Sequence, residues 1–178
     1  LWGPILRLLI LTGQRRSEIV KLKWDEINLN KKQMIKVGSK TKNNKAHTTH
    51  LSAPALQTLL LIKKTEHDLI FTTTGTTPVS GFSKMKKQLD VILGDEFKPW
   101  RLSDFRTAMA TALAENGEAE TIVDRILNHS ASGSAPSAVA RVYNQAENLT
   151  QRAAALETWG RMVTAECPSL NALGKYQD

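Results

Sequence analysis

The chain has 178 residues, of which 24 are lysine or arginine and 17 are aspartate or glutamate, and its formal net charge is +7. This length suits one domain with a sizeable core, and the basic excess favours a polyanionic partner, with nucleic acid the usual candidate. The single cysteine, Cys167, excludes an intrachain disulfide and a zinc site built on a cysteine pair. No apolar run approaches the roughly 18 residues that a membrane helix needs.

The chain starts inside an apolar segment that has the pattern of a helix. Residues 2–12 predict a short helix that breaks near Gly13, and no initiator methionine or signal peptide precedes it. We therefore expect the chain to be a fragment of a longer protein.

The next residues predict a second helix and a small β-hairpin. Residues 17–23 continue helically, and residues 34–37 predict a strand. Residues 39–45 are a basic connection, and the strand over residues 46–51 returns antiparallel. A small antiparallel sheet should therefore form in the first half of the chain.

Helices dominate the rest of the chain. Ser52 is expected to cap a helix, residues 69–71 to form a short strand, and Ser80 to open a helix that runs to about Leu93. Further helices are predicted from Ser103 to Asn116, through Ile122 to Asn128, from Pro136 past Tyr143, and from Leu149 to Val163. The predicted fold class is α+β, mainly α-helical with a small antiparallel β-sheet.

Five segments occur in a diagnostic order along these elements. They are LTGQRRSEIVKLKWDEI, KTKNNKAHTTHLS, WRLSDFRTAMAT, ILNHS and VARVYNQ. Together they resemble the catalytic domain of tyrosine recombinases of the prophage integrase type, over residues 12–159. The resemblance implies a tyrosine recombinase catalytic domain at residues 1–165 and a C-terminal tail at residues 166–178. It also implies that the N-terminal DNA-clamping domains of such integrases are absent from this fragment.

The motifs of this family select the candidate catalytic residues one by one. TGQR selects Arg15, and the His-x-x-Arg box falls on SDFR and selects Arg106. In the hairpin the register selects Lys42, while Leu-x-His selects His129 and VYN selects Tyr143 as the nucleophile.

Three further positions complete the resemblance or depart from it. Glu18 matches an acidic position that supports the turn at the first arginine, and Lys40 is the neighbour that competes with Lys42. Ser103 stands where the family commonly has a histidine that assists proton transfer. A serine is no base near neutral pH, so we interpret Ser103 as the N-cap of its helix, with Arg106 at the third helical position.

These residue types suit cleavage and rejoining of a phosphodiester. A tyrosine nucleophile keeps the bond energy in a 3′-phosphotyrosine ester, so neither ATP nor a metal is required. Two arginine forks match the charged non-bridging oxygens of the transition state, and a lysine supplies a proton to the leaving 5′-oxygen. The resemblance therefore implies no cofactor. His47 and His50 lie three apart on a predicted strand and face opposite sides, which argues against a metal site.

Each candidate has an ordinary structural alternative. Arg15 and Arg16 also fit exposed charges at a helix end, and His129 also fits a helix terminator. Lys42 lies among Lys36, Lys40 and Lys45, and such a run also fits a solvated loop or general phosphate contacts, while Tyr143 also fits a half-buried aromatic. We assign Arg16, Lys40 and Lys45 to DNA contacts.

The resemblance also implies partners and a setting. It implies double-stranded DNA attachment sites, integration of a viral genome as a prophage, a homotetramer on DNA and a monomeric isolated fragment. It further implies a bacterial cytoplasmic protein that associates with the nucleoid and not with a membrane. The alternatives are a weakened relative that acts as a DNA-binding module, which Ser103 motivates, and a type IB topoisomerase. The last helix is compatible with docking on a neighbouring subunit and with packing on its own chain.

Overall fold

The computed structural model describes residues 1–37, 46–129 and 148–168. Within these ranges it contains seven α-helices, one 3-10 turn and three strands, which confirms the mainly helical α+β prediction. The helices are α1 (Trp2–Thr12), α2 (Arg16–Val20), α3 (Ala53–Leu60), α4 (Phe82–Leu93), α5 (Asp104–Glu115), α6 (Glu120–Ile126) and α7 (Leu149–Glu166). The strands are β1 (Ile27–Asn28), β2 (Gln33–Lys36) and β3 (His47–His50).

Helix α1 is the central element because it contacts both parts of the hydrophobic core. Ile5, Leu8 and Leu9 are buried on its inner side at helical spacing, and it packs against α2, α3, α5 and α7. One part of the core joins α1 to the sheet and α3, and the other joins α5, α6 and α7. Ile10 of α1 packs against this second part. The end of α1 is therefore fixed from both sides.

The sheet is a small antiparallel meander in the order β1–β2–β3. Met34 pairs with Thr49 and Lys36 pairs with His47, and all four of these side chains are buried on one face. The predicted hairpin is thus confirmed in its antiparallel direction, with β2 shifted by one residue and β3 shorter than predicted. The buried face of the sheet therefore carries two ionisable side chains, Lys36 and His47, beside the apolar Met34.

Several local predictions were wrong in detail. Ser52 and Ser103 occupy the N-cap positions of α3 and α5, but neither side chain caps a helix N–H. Ser103 is itself in the right-handed helical region, which turns its hydroxyl toward Asp104. Residues 69–71 form no strand, because Leu69 makes only an isolated bridge to Lys23.

The observed boundaries of two helices also differ from the predicted ones. Helix α2 ends at Val20 rather than Lys23, and α4 begins at Phe82 rather than Ser80 because Gly81, with φ 96°, occupies its N-cap. The predicted helix from Pro136 past Tyr143 lies outside the described residues.

Helix α7 packs on its own chain. Trp159 Nε1 donates to the carbonyl oxygen of Ile10 at 2.8 Å, and Arg152 donates to the carbonyl oxygen of Thr48. Glu157 accepts a hydrogen bond from His50 Nε2 at 2.9 Å. These contacts bind α7 to α1 and β3, so of the two alternatives open for this helix the structure shows packing in cis.

None of the described helices combines the length and the apolar character needed to cross a membrane.

Gly13 ends α1 in a conformation and a space that only glycine accommodates. Its φ is 59°, and a Cβ would lie 2.3 Å from Cε of the buried Met109. We expect Gly13→Ala to lower the free energy of unfolding by at least about 2 kcal/mol, from left-handed strain and overpacking together.

Chemical denaturation monitored by circular dichroism measures this effect. The matched control is Gly3→Ala in the same helix, because nothing lies within 4 Å of a Cβ at Gly3. That control should be neutral or slightly stabilising. Equal stabilities of the two variants would contradict this explanation of the α1 terminus.

Candidate active site

The turn after α1 directs Arg15 toward the end of α6. Arg15 is the N-cap of α2, and the carboxylate of Glu18 accepts both the Arg15 backbone N–H and its Nη1, each at 3.2 Å. Glu18 is buried, with 8% of its surface exposed. Arg15 Nη2 also donates to the carbonyl oxygen of Asn128 at 3.4 Å. A buried carboxylate thus orients the first guanidinium group.

Arg106 reaches the same place from α5. It is the third residue of this helix, as expected from the sequence. Its Nη2 donates to the carbonyl oxygen of Leu127 at 2.8 Å, and its Nη1 donates to the carbonyl oxygen of Gly13. The structure therefore brings Arg15 and Arg106 together on two consecutive carbonyl groups, although 91 positions separate them (106 − 15).

The two arginines affect each other electrostatically. Burial, followed by the positive charge of Arg15, lowers the pKa of Arg106 to about 10, and the carboxylate of Glu18 opposes this change. Arg106 therefore stays charged near neutral pH. Each guanidinium group uses two of its five N–H donors in the side-chain contacts within the described residues. The remaining donors are available to an anion.

Both arginines line a cleft of about 620 Å³. Among the described residues that line it, five are cationic and none is acidic. Two aromatic rings form part of the wall, with Arg16 5.0 Å from the ring centre of Phe82 and Lys86 4.2 Å from that of Trp100. The cationic lining residues are Arg15, Arg16, Lys86, Arg101 and Arg106. This lining suits a polyanionic strand and its phosphates.

Ser103 lines the cleft but offers no base. Its Oγ lies 3.5 Å from Oδ1 of Asp104, and Asp104 Oδ2 accepts the backbone N–H of Arg101 at 2.8 Å. The position that the family fills with a histidine therefore holds an exposed hydroxyl beside a carboxylate.

His129 lies next to the arginine contacts in the chain, and its side chain points elsewhere. It follows Asn128, whose carbonyl holds Arg15, but its Nδ1 lies 3.0 Å from Oδ1 of Asp124. The imidazole is half exposed, and it is not among the residues that line the cleft. The structure thus brings Arg15, Arg106, Glu18, Arg16 and Ser103 together, and leaves His129 at the edge of this group.

The remaining candidates, Lys40, Lys42, Lys45 and Tyr143, lie outside the described residues.

Sequence reasoning missed two buried residues at this site. Gln14 and His47 both contact the carbonyl oxygen of Ile126, through Gln14 Nε2 at 2.9 Å and His47 Nε2 at 3.1 Å. Gln14 stood inside the TGQR motif, which was the available signal, whereas His47 was considered only as a metal ligand. His50 does face the other way, toward Glu157.

His47 is buried from solvent and surrounded by positively charged side chains. Burial, and then the charges of Arg152, Arg15 and Arg106, lower the pKa of His47 to about 4, while its bond to the Ile126 carbonyl opposes this change. His47 is therefore neutral at pH 7, and its Nε2 carries the proton that Ile126 accepts. Among the described residues, no group of three metal-ligating side chains is placed to hold an ion.

The comparisons with known proteins point in one direction. Residues 4–148, most of the chain, match the model of the phage integrase family. A solved structure entitled "Crystal structure of XerA recombinase" is similar, with a TM-score of 0.58 and 21% sequence identity. The match covers 81% of this chain and 57% of that one, and at this identity it shows the fold alone. No curated protein shows significant similarity to the chain.

The lowered pKa of His47 makes a prediction for stability against pH. Between pH 6.5 and 4 the unfolded chain binds a proton on His47 and the folded chain does not. The contribution of His47 to the free energy of unfolding is therefore complete above pH 6.5. We expect this contribution to fall by about 3 kcal/mol as the pH drops to 4. The control is His47→Gln, whose side chain does not titrate.

Urea unfolding at a series of pH values measures the difference between the two proteins. Wild type should lose stability faster than His47→Gln as the pH falls through this range. Parallel curves would show that His47 titrates normally in the folded chain.

Proposed function

Because its residues 4–148 match the family model, the chain belongs to the phage integrase family, and we propose that it is a site-specific DNA recombinase. In this proposal it cleaves and rejoins DNA through a covalent 3′-phosphotyrosine intermediate. The observation that carries the proposal is the pair of guanidinium groups, Arg15 and Arg106, on consecutive carbonyl groups in a cationic cleft. Two forks side by side match the oxygens of one phosphodiester.

The proposed cleavage step uses these residues in defined roles. The Tyr143 phenol gives its proton to water, and its oxygen forms a bond to phosphorus while the bond from phosphorus to the 5′-oxygen breaks. Arg15 and Arg106 stabilise the charge that develops on the non-bridging oxygens, and Lys42 donates a proton to the leaving 5′-oxygen. The 5′-hydroxyl of another strand then reverses the step and releases the tyrosine.

Glu18 and the cleft rim support this chemistry. Glu18 holds Arg15 in one orientation before DNA binds, so little ordering entropy is lost in the transition state. Arg16 and Arg101 extend positive charge away from the arginine pair and suit neighbouring phosphates. Lys86 is ion-paired with Asp90 at 2.5 Å, and in this proposal it exchanges that carboxylate for a phosphate. We assign Lys40 and Lys45 to similar backbone contacts. We also assign His129 to orientation of the phosphate, which requires its imidazole to turn from Asp124 toward the cleft.

The finer features belong to the proposal as a whole. Residues 1–165 form the catalytic domain and residues 166–178 a tail, and the substrates are double-stranded DNA attachment sites of a prophage. Four copies assemble on DNA, whereas the isolated chain is a monomer, in the bacterial cytoplasm at the nucleoid. The match covers 57% of the similar recombinase structure, so these statements about the whole protein are part of the proposal.

A second function is favoured by one observation. Ser103 places a hydroxyl, held near Asp104, where the family commonly has a histidine. A relative weakened in this way would bind DNA in the cationic cleft and leave it uncut.

A covalent trapping assay separates the two functions. The full-length protein is incubated with a nicked duplex that carries its attachment site. The sequence of this site is taken from the ends of the prophage that encodes the protein. We expect an adduct that survives denaturation, disappears in Tyr143→Phe and falls by about two to three decades in rate in Arg106→Ala. Salt-sensitive binding without any adduct, unchanged by Tyr143→Phe, would support the DNA-binding module instead.

The cleft rim makes a separate prediction about DNA affinity. Lys86 lies in the cleft over Trp100, whereas Lys87, the next residue of α4, is exposed and outside it. We expect Lys86→Ala to weaken DNA binding. The negative slope of log affinity against log salt should also become less steep by about one. Fluorescence anisotropy over a salt series measures this slope, and Lys87→Ala is the matched control. Equal slopes for the two variants would show that Lys86 does not contact the DNA.

A further inference from the structure

The last residue of α6 and the two residues that follow it present three consecutive carbonyl groups to the site. The carbonyl oxygen of Ile126 accepts from Gln14 and His47, that of Leu127 from Arg106, and that of Asn128 from Arg15. The donors come from the turn after α1, from β3 and from α5. We call these three carbonyl groups, at residues 126–128, the carbonyl row.

Among the described residues, His47 is the contributor to the carbonyl row that comes from the sheet. Its side chain is 7% exposed on the inner face of β3, directly across from Lys36, which is ion-paired with Glu26. The proposed cleavage step gives His47 no part in bond making or proton transfer. Its burial and its contact to the carbonyl oxygen of Ile126 call for another explanation.

We propose that His47 is a positioning residue that holds the carbonyl row in place, so that the next two carbonyl groups orient Arg15 and Arg106 toward one anion. The proposal deepens the recombinase function and rests on it for its effect on cleavage. Its effect on anion binding is independent of whether the chain cuts DNA.

The charges around His47 explain why an imidazole fits this position. Arg15, Arg106 and Arg152 act on it electrostatically, and Lys36 lies opposite. A lysine or arginine here would add another buried positive charge beside the pair and repel it. A neutral imidazole supplies one N–H donor to the Ile126 carbonyl and adds no charge.

The geometry at the end of α6 explains why one donor matters. Asn128 is a non-glycine residue with φ 51°, a conformation that the surrounding contacts must maintain. Its carbonyl is also the one that Arg15 contacts. A shift of this segment therefore moves the acceptors of both guanidinium groups, and a displacement of about 1 Å at reacting groups costs roughly 100-fold in rate.

Two substitutions separate positioning from simple packing. His47→Leu keeps a side chain of similar bulk and removes the N–H donor, whereas His47→Gln keeps an N–H at a similar reach. The matched control is His50→Leu, on the other face of the same strand, which loses only the contact to Glu157.

The first measurement titrates inorganic phosphate and follows the Nε–H signals of Arg15 and Arg106 by NMR. Wild type, His47→Gln and His50→Leu should bind phosphate with both side chains and similar affinity. His47→Leu should bind roughly tenfold more weakly, the loss expected when one guanidinium contact is misplaced. Unfolding curves recorded in parallel establish that the variants are folded.

The second measurement is the single-turnover rate of adduct formation on the nicked duplex. His47→Leu should be slower by roughly 10- to 100-fold with DNA affinity nearly unchanged, and His47→Gln should recover most of the rate. Full phosphate affinity in His47→Leu, or equal damage in the folded Gln and Leu variants, would overturn the proposal. A weakened phosphate site together with no adduct in wild type would sustain it and contradict the recombinase function.

Discussion

The arrangement of the site depends on the hydrogen bonds at the end of α6. A helix end exposes carbonyl oxygens with partial negative charge, and here side chains from three other elements satisfy three of them. Two of these side chains are the arginines. The end of α6 therefore offsets part of the repulsion between two guanidinium groups and fixes where they lie.

Two guanidinium groups held close together, those of Arg15 and Arg106, are suited to bind an anion. The lowered pKa of Arg106 reflects burial and the nearby Arg15, and a single carboxylate, that of Glu18, opposes it. In the proposed function, a phosphodiester that enters the cleft would supply the missing negative charge at the unused N–H donors. Because the donors are already oriented, little reorganisation would accompany the proposed transition state.

Much of this arrangement is predictable from the sequence, and part of it is not. Motif order identified Arg15 and Arg106, and the helical pattern placed Arg106 at the third position of α5, where the structure has it. Ser103 was placed correctly as an N-cap, but its backbone conformation turned the hydroxyl away from the helix. The contact of His47 to Ile126 was missed because its partner is a backbone carbonyl, and backbone acceptors carry no residue signature. Strand alternation shows only which face His47 occupies.

The central claim is that Arg15 and Arg106 act on the same phosphodiester. The most direct measurement is a crystal structure of the full-length Tyr143→Phe protein bound to an uncut attachment-site duplex. The account predicts both guanidinium groups within hydrogen-bond distance of the non-bridging oxygens of one phosphate, with their contacts to Leu127 and Asn128 retained. Contacts from the two arginines to different phosphates, or one arginine turned away from the DNA, would contradict it.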